Sequence, residues 1–150
     1  MAKRKSMHDD ACPVARAVDV VGERWALLLV REAFDGVRRF GDFQRRLGVA
    51  RNILADRLAA LVEHGIFTVQ PASDGSAYQE YVLTAKGEAL FGVVVALRQW
   101  GEQHLYADGE PHSQLLLRVG DAPLAAMVPR DTTGRSVAVH ATYVKKLVPE

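Results

Sequence analysis

Arginine is concentrated in one short stretch of this sequence, where its side chains could bind phosphate. Residues 36–58 contain six arginines but only two acidic residues, Asp42 and Asp56. The same stretch contains Asn52, whose side-chain amide can pair with the edge of adenine. Guanidinium groups bind phosphate and guanine through paired N–H donors. The pattern predicts a phosphate-binding surface, although a solvated helix face would have a similar composition. The arginines are Arg38, Arg39, Arg45, Arg46, Arg51 and Arg57.

Charge is unevenly distributed along the 150 residues, although the net charge is only +1. Residues 1–60 contain 12 Lys or Arg and 8 Asp or Glu, a balance of +4. Residues 61–150 contain 7 and 10, a balance of −3. A local basic cluster on a nearly neutral chain is typical of a surface that binds phosphate groups.

Other reactive residues give little support for catalysis or for metal binding. The five histidines show no metal-ligand spacing, and the sequence contains neither a phosphate loop nor a nucleophile elbow. Glu102 and His104 are two positions apart, and such residues point in different directions on a helix. We therefore expect no enzyme activity, no bound metal and no cofactor.

Hydrophobic periodicity and glycine positions define the elements that would carry the arginines. Helical spacing predicts helices over residues 13–21, 23–34, 40–47 and 50–64, separated at Gly22, Gly36 and Gly48. A β-branched run, a loop ASDGSA and an alternating run predict a hairpin over 66–84. Thr84 can cap a long helix from Ala85 to about Tyr106. This order predicts a mainly α fold with a small β hairpin, a winged helix-turn-helix, whose second helix enters the DNA major groove.

The helix over 50–64 has one apolar face and one face of small residues. On a helical projection its apolar side chains lie within about 80° of Leu54. Asn52, Ala55, Asp56 and Ala59 lie on the opposite side, where small side chains allow close approach to base edges. Alanine on an exposed face also simply favours the helix, but the arginine cluster and the hairpin favour a groove-reading surface.

The predicted helix 85–106 is more apolar than one core requires. Its large apolar residues cover about 220° of the helix circumference, whereas a monomer buries a stripe of roughly 100° or somewhat more. The surplus predicts a homodimer, with interface residues Phe91, Val94, Val95 and Trp100. A C-terminal extension that covers the second face is the alternative.

Several motifs, in order, resemble the HxlR-type winged-helix transcriptional regulators. They are CPV from Cys12, G-x-x-W-x-x-L-L-L from Gly22, RRF from Arg38 and L-T-x-x-G from Leu83. The resemblance runs from Cys12 to about Tyr106. It implies a dimeric, sequence-specific DNA-binding regulator that responds to a reactive or aromatic small molecule. We interpret it as a repressor on a palindromic operator, with a protein-interaction winged helix that does not bind DNA as the alternative.

Within this interpretation the predicted DNA-binding residues are Arg39, Arg45, Arg51, Asn52 and Arg57. Arg39 and Arg45 would contact phosphate. An internal salt bridge is the alternative role of Arg57. Two features depart from the resembled family: the wing QPASDGSAYQ has no Lys or Arg, and Ala50 replaces a capping serine. Loss of that cap costs about 1 kcal/mol, so the first turn of the helix would become ordered on DNA.

Cys12 is the only cysteine, which excludes an internal disulfide framework. The resemblance suggests a redox or electrophile sensor, and nearby basic residues and a helix N-terminus would favour the thiolate. A lone thiol needs an intersubunit bond or an adduct to switch. A buried cysteine without sensing is the alternative.

The sequence divides into residues 12–106, which bind DNA and dimerise, and a β-rich extension over 107–150. We predict strands in the extension near 115–119, 124–128 and 136–143, and no zinc because it has no cysteine. The extension would either form a ligand pocket or brace the dimer. Without a long apolar run or a secretion signal, the chain is expected to be cytoplasmic and not to enter a membrane.

Overall fold

A computed structural model describes residues 5–147, so the last three residues of the predicted extension lie outside it. Four helices come first, followed by an antiparallel hairpin and two further helices. They are α1 (Pro13–Val21), α2 (Arg24–Phe34), α3 (Phe40–Leu47), α4 (Arg51–Glu63), β1 (Phe67–Pro71), β2 (Gln79–Leu83), α5 (Ala85–Glu88) and α6 (Phe91–His104). The predicted mainly helical fold with a two-stranded hairpin, a winged helix-turn-helix, is confirmed.

The core lies where α2, α3, α4 and the hairpin meet. Phe43 of α3 and Phe67 of β1 are fully buried and contact each other edge to face, with ring centroids 6.2 Å apart. Leu54, Leu58 and Leu61 of α4 are each at most 2% exposed. The apolar stripe predicted for this helix therefore faces inward, and its small-residue face is exposed.

The turn between α3 and α4 sets the angle between the two helices. Gly48 ends α3 with φ +63°, a left-handed conformation that a β-carbon disfavours, and its N–H donates to Gln44 O at 2.9 Å. Val49 is 4% exposed, so the turn is anchored in the core. The helix-turn-helix thus follows from one glycine and one buried valine.

The prediction of a single helix over 85–106 is wrong, because the chain makes a turn at Ala89 and Leu90 between α5 and α6. Leu90 N–H donates to Gly87 O at 3.1 Å, a three-residue turn bond. Gly87 packs so closely on the start of the hairpin that a β-carbon there would lie 2.2 Å from Ile66 O. This tertiary contact fixes α5 and interrupts the helix.

The extension does not form the three predicted strands. Between residues 107 and 147 the structure shows two isolated bridges, Leu116 with Pro123 and Arg130 with Ser136, and a 3-10 turn over Val139–Ala141. The prolines at positions 123 and 129 lack the N–H groups that a continuous ladder requires. The β-rich extension is therefore corrected to an irregular segment.

The chain divides into two compact units, with the boundary between Val94 and Val95 inside α6. The sequence predicts a boundary at residue 106 instead. The first unit contains the helix-turn-helix and the hairpin, and the second contains most of α6 and the extension. No helix among residues 5–147 is long and apolar enough to cross a membrane.

Candidate nucleic-acid interface

The N-terminal turn of α4 presents polar groups to solvent. Arg51 and Asn52 are exposed, as are Ala55 and Ala59 on the next turns. Ala50 provides no side-chain cap, yet α4 begins at Arg51, with Leu54 N–H donating to Ala50 O at 2.9 Å. The first amides of the helix therefore lack a side-chain acceptor and can donate to an anion such as phosphate.

Arg51 is the one arginine of the 36–58 cluster without a carboxylate partner within 4.0 Å in the described part of the chain. Its guanidinium lies over the ring of Phe40, 5.1 Å from the centroid. A cation–π contact holds the side chain without neutralising its charge. Its full positive charge is thus available beside the exposed Asn52.

The other predicted DNA-contacting arginines have acidic neighbours. Arg39 Nη2 lies 2.5 Å from Asp74 Oδ2, and Arg45 pairs with Asp42 along α3. Arg45 is 76% exposed, so its pair is solvent-screened and its guanidinium is free to reach a phosphate.

Arg57 has a different environment, because its Nε is buried. The atom lies 3.3 Å from Glu23 Oε2, close enough for an ion pair but not aligned for a hydrogen bond. Glu23 also caps α2 by accepting from Trp25 N–H at 3.1 Å. The internal salt bridge considered as the alternative role of Arg57 is therefore present in the structure.

Two acidic residues that the sequence analysis did not identify hold the wing, residues 70–79 at the tip of the hairpin. Glu80 is 4% exposed and accepts from Ser73 N–H at 3.3 Å and from Arg38 Nη1 at 3.5 Å. Burial alone would raise the pKa of Glu80, but these hydrogen bonds hold it below its usual value. Glu80 faces inward from β2. The alternation of polar and apolar residues in a single sequence does not reveal an inward-facing acid, so its role could not be predicted.

Asp74 is the second acid, at the tip of the wing. Hydrogen bonds from Ser76 and Arg39 hold the pKa of its carboxyl far below the usual value. The Arg39 guanidinium also lies 5.1 Å from the Tyr78 ring centroid. One arginine at the start of α3 thus joins the helix-turn-helix to the wing.

An open groove of about 700 Å³ runs between α3, the start of α4 and the wing. Three arginines and three aromatic rings line it, together with backbone and amide groups. The lining residues are Arg39, Phe40, Gly41, Asp42, Arg45, Arg51, Ala77, Tyr78, Gln79 and Tyr81. The structure brings Arg39, Arg45 and Arg51 together in one groove, whereas Arg57 does not line it.

Cys12 is exposed immediately before α1, so the burial assumed in the alternative interpretation is wrong. Its own N–H donates to Asp10 Oδ1 at 2.8 Å. No group of three His, Cys, Asp or Glu among residues 5–147 is arranged to hold a metal ion. The thiol is therefore accessible to a second molecule or to a reagent.

The residues named for a dimer interface occupy different environments on α6. Phe91 and Trp100 are 43% and 55% exposed, whereas Val95 is 3% exposed and Val94 packs against the core. Phe91 contacts Phe34, with ring centroids 5.3 Å apart. The exposed apolar stripe of this helix is Val93, Leu97 and Trp100, at positions i, i+4 and i+7.

The helix-turn-helix, the wing and the exposed start of α4 define a DNA-binding regulator of the winged helix-turn-helix class. Residues 20–108 match the HxlR-like helix-turn-helix family, and the chain belongs to that family. This is a family of HTH-type transcriptional regulators and not of enzymes.

Similar proteins extend this assignment. An uncharacterized HTH-type transcriptional regulator of Mycobacterium tuberculosis, Rv3095, is 51% identical over 92 residues, which are 61% of this chain and 58% of that protein. The match thus spans less than two thirds of that relative's length. The crystal structure of PA1607, a candidate transcription factor, matches with TM-score 0.90 and 47% identity over 95% of this chain and 99% of that chain. The redox regulator HypR in its reduced form matches with TM-score 0.57 and 29% identity over 63% and 94%.

Proposed function

We propose that this regulator binds a palindromic operator as a homodimer and acts as a repressor. The observation that carries the proposal is the exposed pair Arg51 and Asn52 at the start of α4, beside a groove with two further arginines. With this turn in the major groove, Asn52 would read a base edge. Arg39 and Arg45 would contact the phosphate backbone along the groove.

Arg57 has a supporting role in this proposal. Because its guanidinium faces Glu23 at the start of α2, it would fix the position of α4 rather than contact DNA. Arg51 remains a proposed DNA contact, because its guanidinium has no carboxylate within 4.0 Å among residues 5–147.

A second copy of the chain is the proposed partner of α6. The stripe of Val93, Leu97 and Trp100 leaves 44%, 49% and 55% of these side chains in water. Burying a fully exposed large apolar side chain contributes about 1.5–3 kcal/mol, and the exposed half of each of these side chains would contribute roughly half of that, which favours association through this stripe. A twofold dimer would place two α4 helices in successive major grooves, about 34 Å apart.

The extension is proposed to brace this dimer. Its apolar side chains are unusually exposed, with Val119, Val139 and Tyr143 each at least 86% in water. Exposed apolar surface is a common feature of protein interaction sites, which supports a bracing role. The other interpretation, an effector site, is supported by an open pocket of about 500 Å³ in the second unit, lined by Tyr106, His112 and several acidic residues.

Control by an oxidant or another small molecule is proposed through the exposed Cys12, by analogy with HypR, a redox regulator. Two Cys12 thiols from two copies would lose two protons and two electrons to an oxidant such as diamide, forming one intersubunit disulfide. Cys12→Ser should make operator binding insensitive to diamide, whereas the wild type should change its affinity. Equal diamide responses of both proteins would remove Cys12 from the proposal. Such a regulator would act in the cytoplasm.

The test of DNA binding measures fluorescence anisotropy on an operator selected from a random pool and on a random duplex. Asn52→Ala should weaken operator binding by about tenfold to a hundredfold, the cost of one bidentate base contact, and leave random duplex binding unchanged. Gln103→Ala, which removes an exposed amide from α6, is the matched control and should bind both duplexes like the wild type.

The competing function, a winged helix that binds proteins instead of DNA, is supported by the absence of Lys and Arg from the wing residues 70–79. If the protein contacts phosphates, its affinity should fall steeply as salt is added. Each phosphate contact should lower the affinity by nearly tenfold for every tenfold rise in salt concentration. Absence of salt-dependent binding to every duplex would favour this protein-binding function.

A further inference from the structure

The wing tip places a carboxylate on an arginine of the proposed DNA surface. Arg39 Nη2 lies 2.5 Å from Asp74 Oδ2 and 3.4 Å from Ser76 Oγ, and the guanidinium stacks on Tyr78. These three wing residues surround the guanidinium of the residue that precedes α3. Arg39 is consequently occupied in the protein without DNA.

A carboxylate and a phosphate bind a guanidinium in the same way, through two oxygens and the paired N–H donors. Arg39 lines the groove together with Arg45 and Arg51, where the proposed phosphate backbone would lie. The wing residues 70–79 contain no lysine or arginine, so Arg39 is the cation nearest to the tip in the groove lining. Asp74 therefore stands where a DNA phosphate would bind.

Within residues 5–147, three ion pairs join Glu80 and Asp74 to arginines, because Arg39 Nη2 also lies 4.0 Å from Glu80 Oε1, and the two acids differ in whether their pairs can open. Glu80 is 5% exposed at its side chain and has Ser73 as a further partner, so its pair with Arg38 is part of the fold. The Asp74 side chain is 56% exposed, and water can solvate it when Arg39 leaves. Only the Arg39–Asp74 pair can therefore exchange its acid for a phosphate at low cost.

We propose that Asp74 is an affinity-determining residue for DNA, an internal competitor that a backbone phosphate must displace from Arg39. The inference rests on the proposed function, because it presupposes that the groove receives DNA. Through Asp74, the wing would weaken binding to every duplex. The wing has no lysine or arginine of its own.

Protonation does not open the pair at ordinary pH. Ser76 and Arg39 hold the pKa of Asp74 far below its usual value, so the carboxylate stays ionised between about pH 5 and pH 9. A depressed pKa contributes stability that is lost only as the pH falls through the folded-state value. Phosphate and salt, rather than acid, are the competitors of this pair.

The test compares Asp74→Asn with Asp108→Asn on a random duplex, by anisotropy from about 50 to 250 mM KCl. The Asp74→Asn variant keeps a side-chain oxygen that can accept the Ser76 N–H, a bond of 3.0 Å in the wild type, so the wing tip stays formed. Asp108 is exposed and forms neither an ion pair nor a side-chain hydrogen bond within residues 5–147, so its substitution makes the same change of net charge elsewhere.

Asp74→Asn should bind about twofold to fivefold more tightly than the wild type, the size expected for release of one exposed ion pair. The slope of log affinity against log salt concentration should become steeper by up to about the value of one phosphate contact. Asp108→Asn should change affinity by less than about twofold, because it leaves the Arg39–Asp74 pair intact. Equal behaviour of the two variants, or weaker binding of Asp74→Asn, would overturn the proposal.

A double-mutant cycle assigns the effect to the pair. In an Arg39→Gln background, Asp74→Asn should give no gain beyond that of Asp108→Asn, because no guanidinium is left to release. A gain that persists in this background would show a general field effect and overturn the role of Arg39. If the wild type itself shows no salt-dependent binding to any duplex, the proposed function fails. If the wild type binds and Asp74→Asn does not differ from the control, only this inference fails.

Discussion

Arginine side chains in the helix-turn-helix differ chiefly in what their guanidinium groups contact. Arg51 is held by an aromatic ring, Arg45 pairs in solvent along its own helix, and Arg39 is bound by the wing tip. Arg57 lies against Glu23 with its Nε buried. These four arginines therefore lie in four different environments. We expect substitution of each one to have a different effect.

Arg57 is the arginine of this group whose contact is expected to stabilise the fold. Arg57→Met keeps the apolar stem but leaves Glu23, which is 22% exposed, without its partner. The free energy of unfolding should fall by about 1–2 kcal/mol, measured by urea denaturation. Arg45→Met removes a solvent-screened pair and should change stability by less than about 0.5 kcal/mol. Unchanged stability of Arg57→Met combined with lost DNA binding would return Arg57 to the DNA contacts.

At the scale of the elements, contacts between segments decide where helices end. Gly87 lies against the carbonyl of Ile66, and Thr84 caps α5 by accepting from Gly87 N–H at 3.1 Å. The chain can then turn and begin α6 at Phe91. The junction positions α5 on the hairpin by backbone contact, which leaves no room for a side chain.

Gly87→Ala should consequently be strongly destabilising. A β-carbon 2.2 Å from Ile66 O forces the backbone apart, and we expect a loss of about 2–3 kcal/mol in thermal or urea unfolding. Gly41→Ala in α3 is the matched control, because nothing lies within 4 Å of its added carbon. The control should gain about 0.5–1 kcal/mol from helix propensity. Similar losses in both variants would contradict the close-packing explanation.

The sequence predicted the elements that depend on local signals. Gly48, the apolar stripe of α4 and the alternating hairpin residues all follow from period and turn chemistry. It missed the break at Ala89, because the contact of Gly87 with Ile66 joins residues far apart in the chain. It also missed the partners of Arg39, because ion pairs between α3 and the wing depend on tertiary structure.

At the scale of the whole molecule, each compact unit leaves a different kind of surface exposed. The first unit, up to Val94, presents the polar start of α4 and the arginine-lined groove. The second, from Val95, presents apolar side chains of α6 and of the extension. We interpret the first surface as the contact to DNA and the second as the contact to another copy of the chain.

Trp100→Glu tests the dimer. A carboxylate in place of the largest side chain of the apolar stripe would have to be buried in the interface, so we expect a monomer by light scattering. Operator affinity should fall at least about tenfold, because two half-sites would no longer be bound together. Ala85→Glu adds the same charge at an exposed position of α5 and should remain a dimer. A dimeric Trp100→Glu would place the interface elsewhere.

The local neutralisation of the cluster bears on how such a protein would find its site in a cell. Chromosomal DNA offers millions of competing sequences, and proteins with many free cations spend most of their time on them. In this chain Arg38, Arg39, Arg45, Arg46 and Arg57 each have an acidic neighbour within 4.0 Å. We expect a large freely diffusing fraction, short dwell times on random sequence and a search carried out mainly by three-dimensional diffusion.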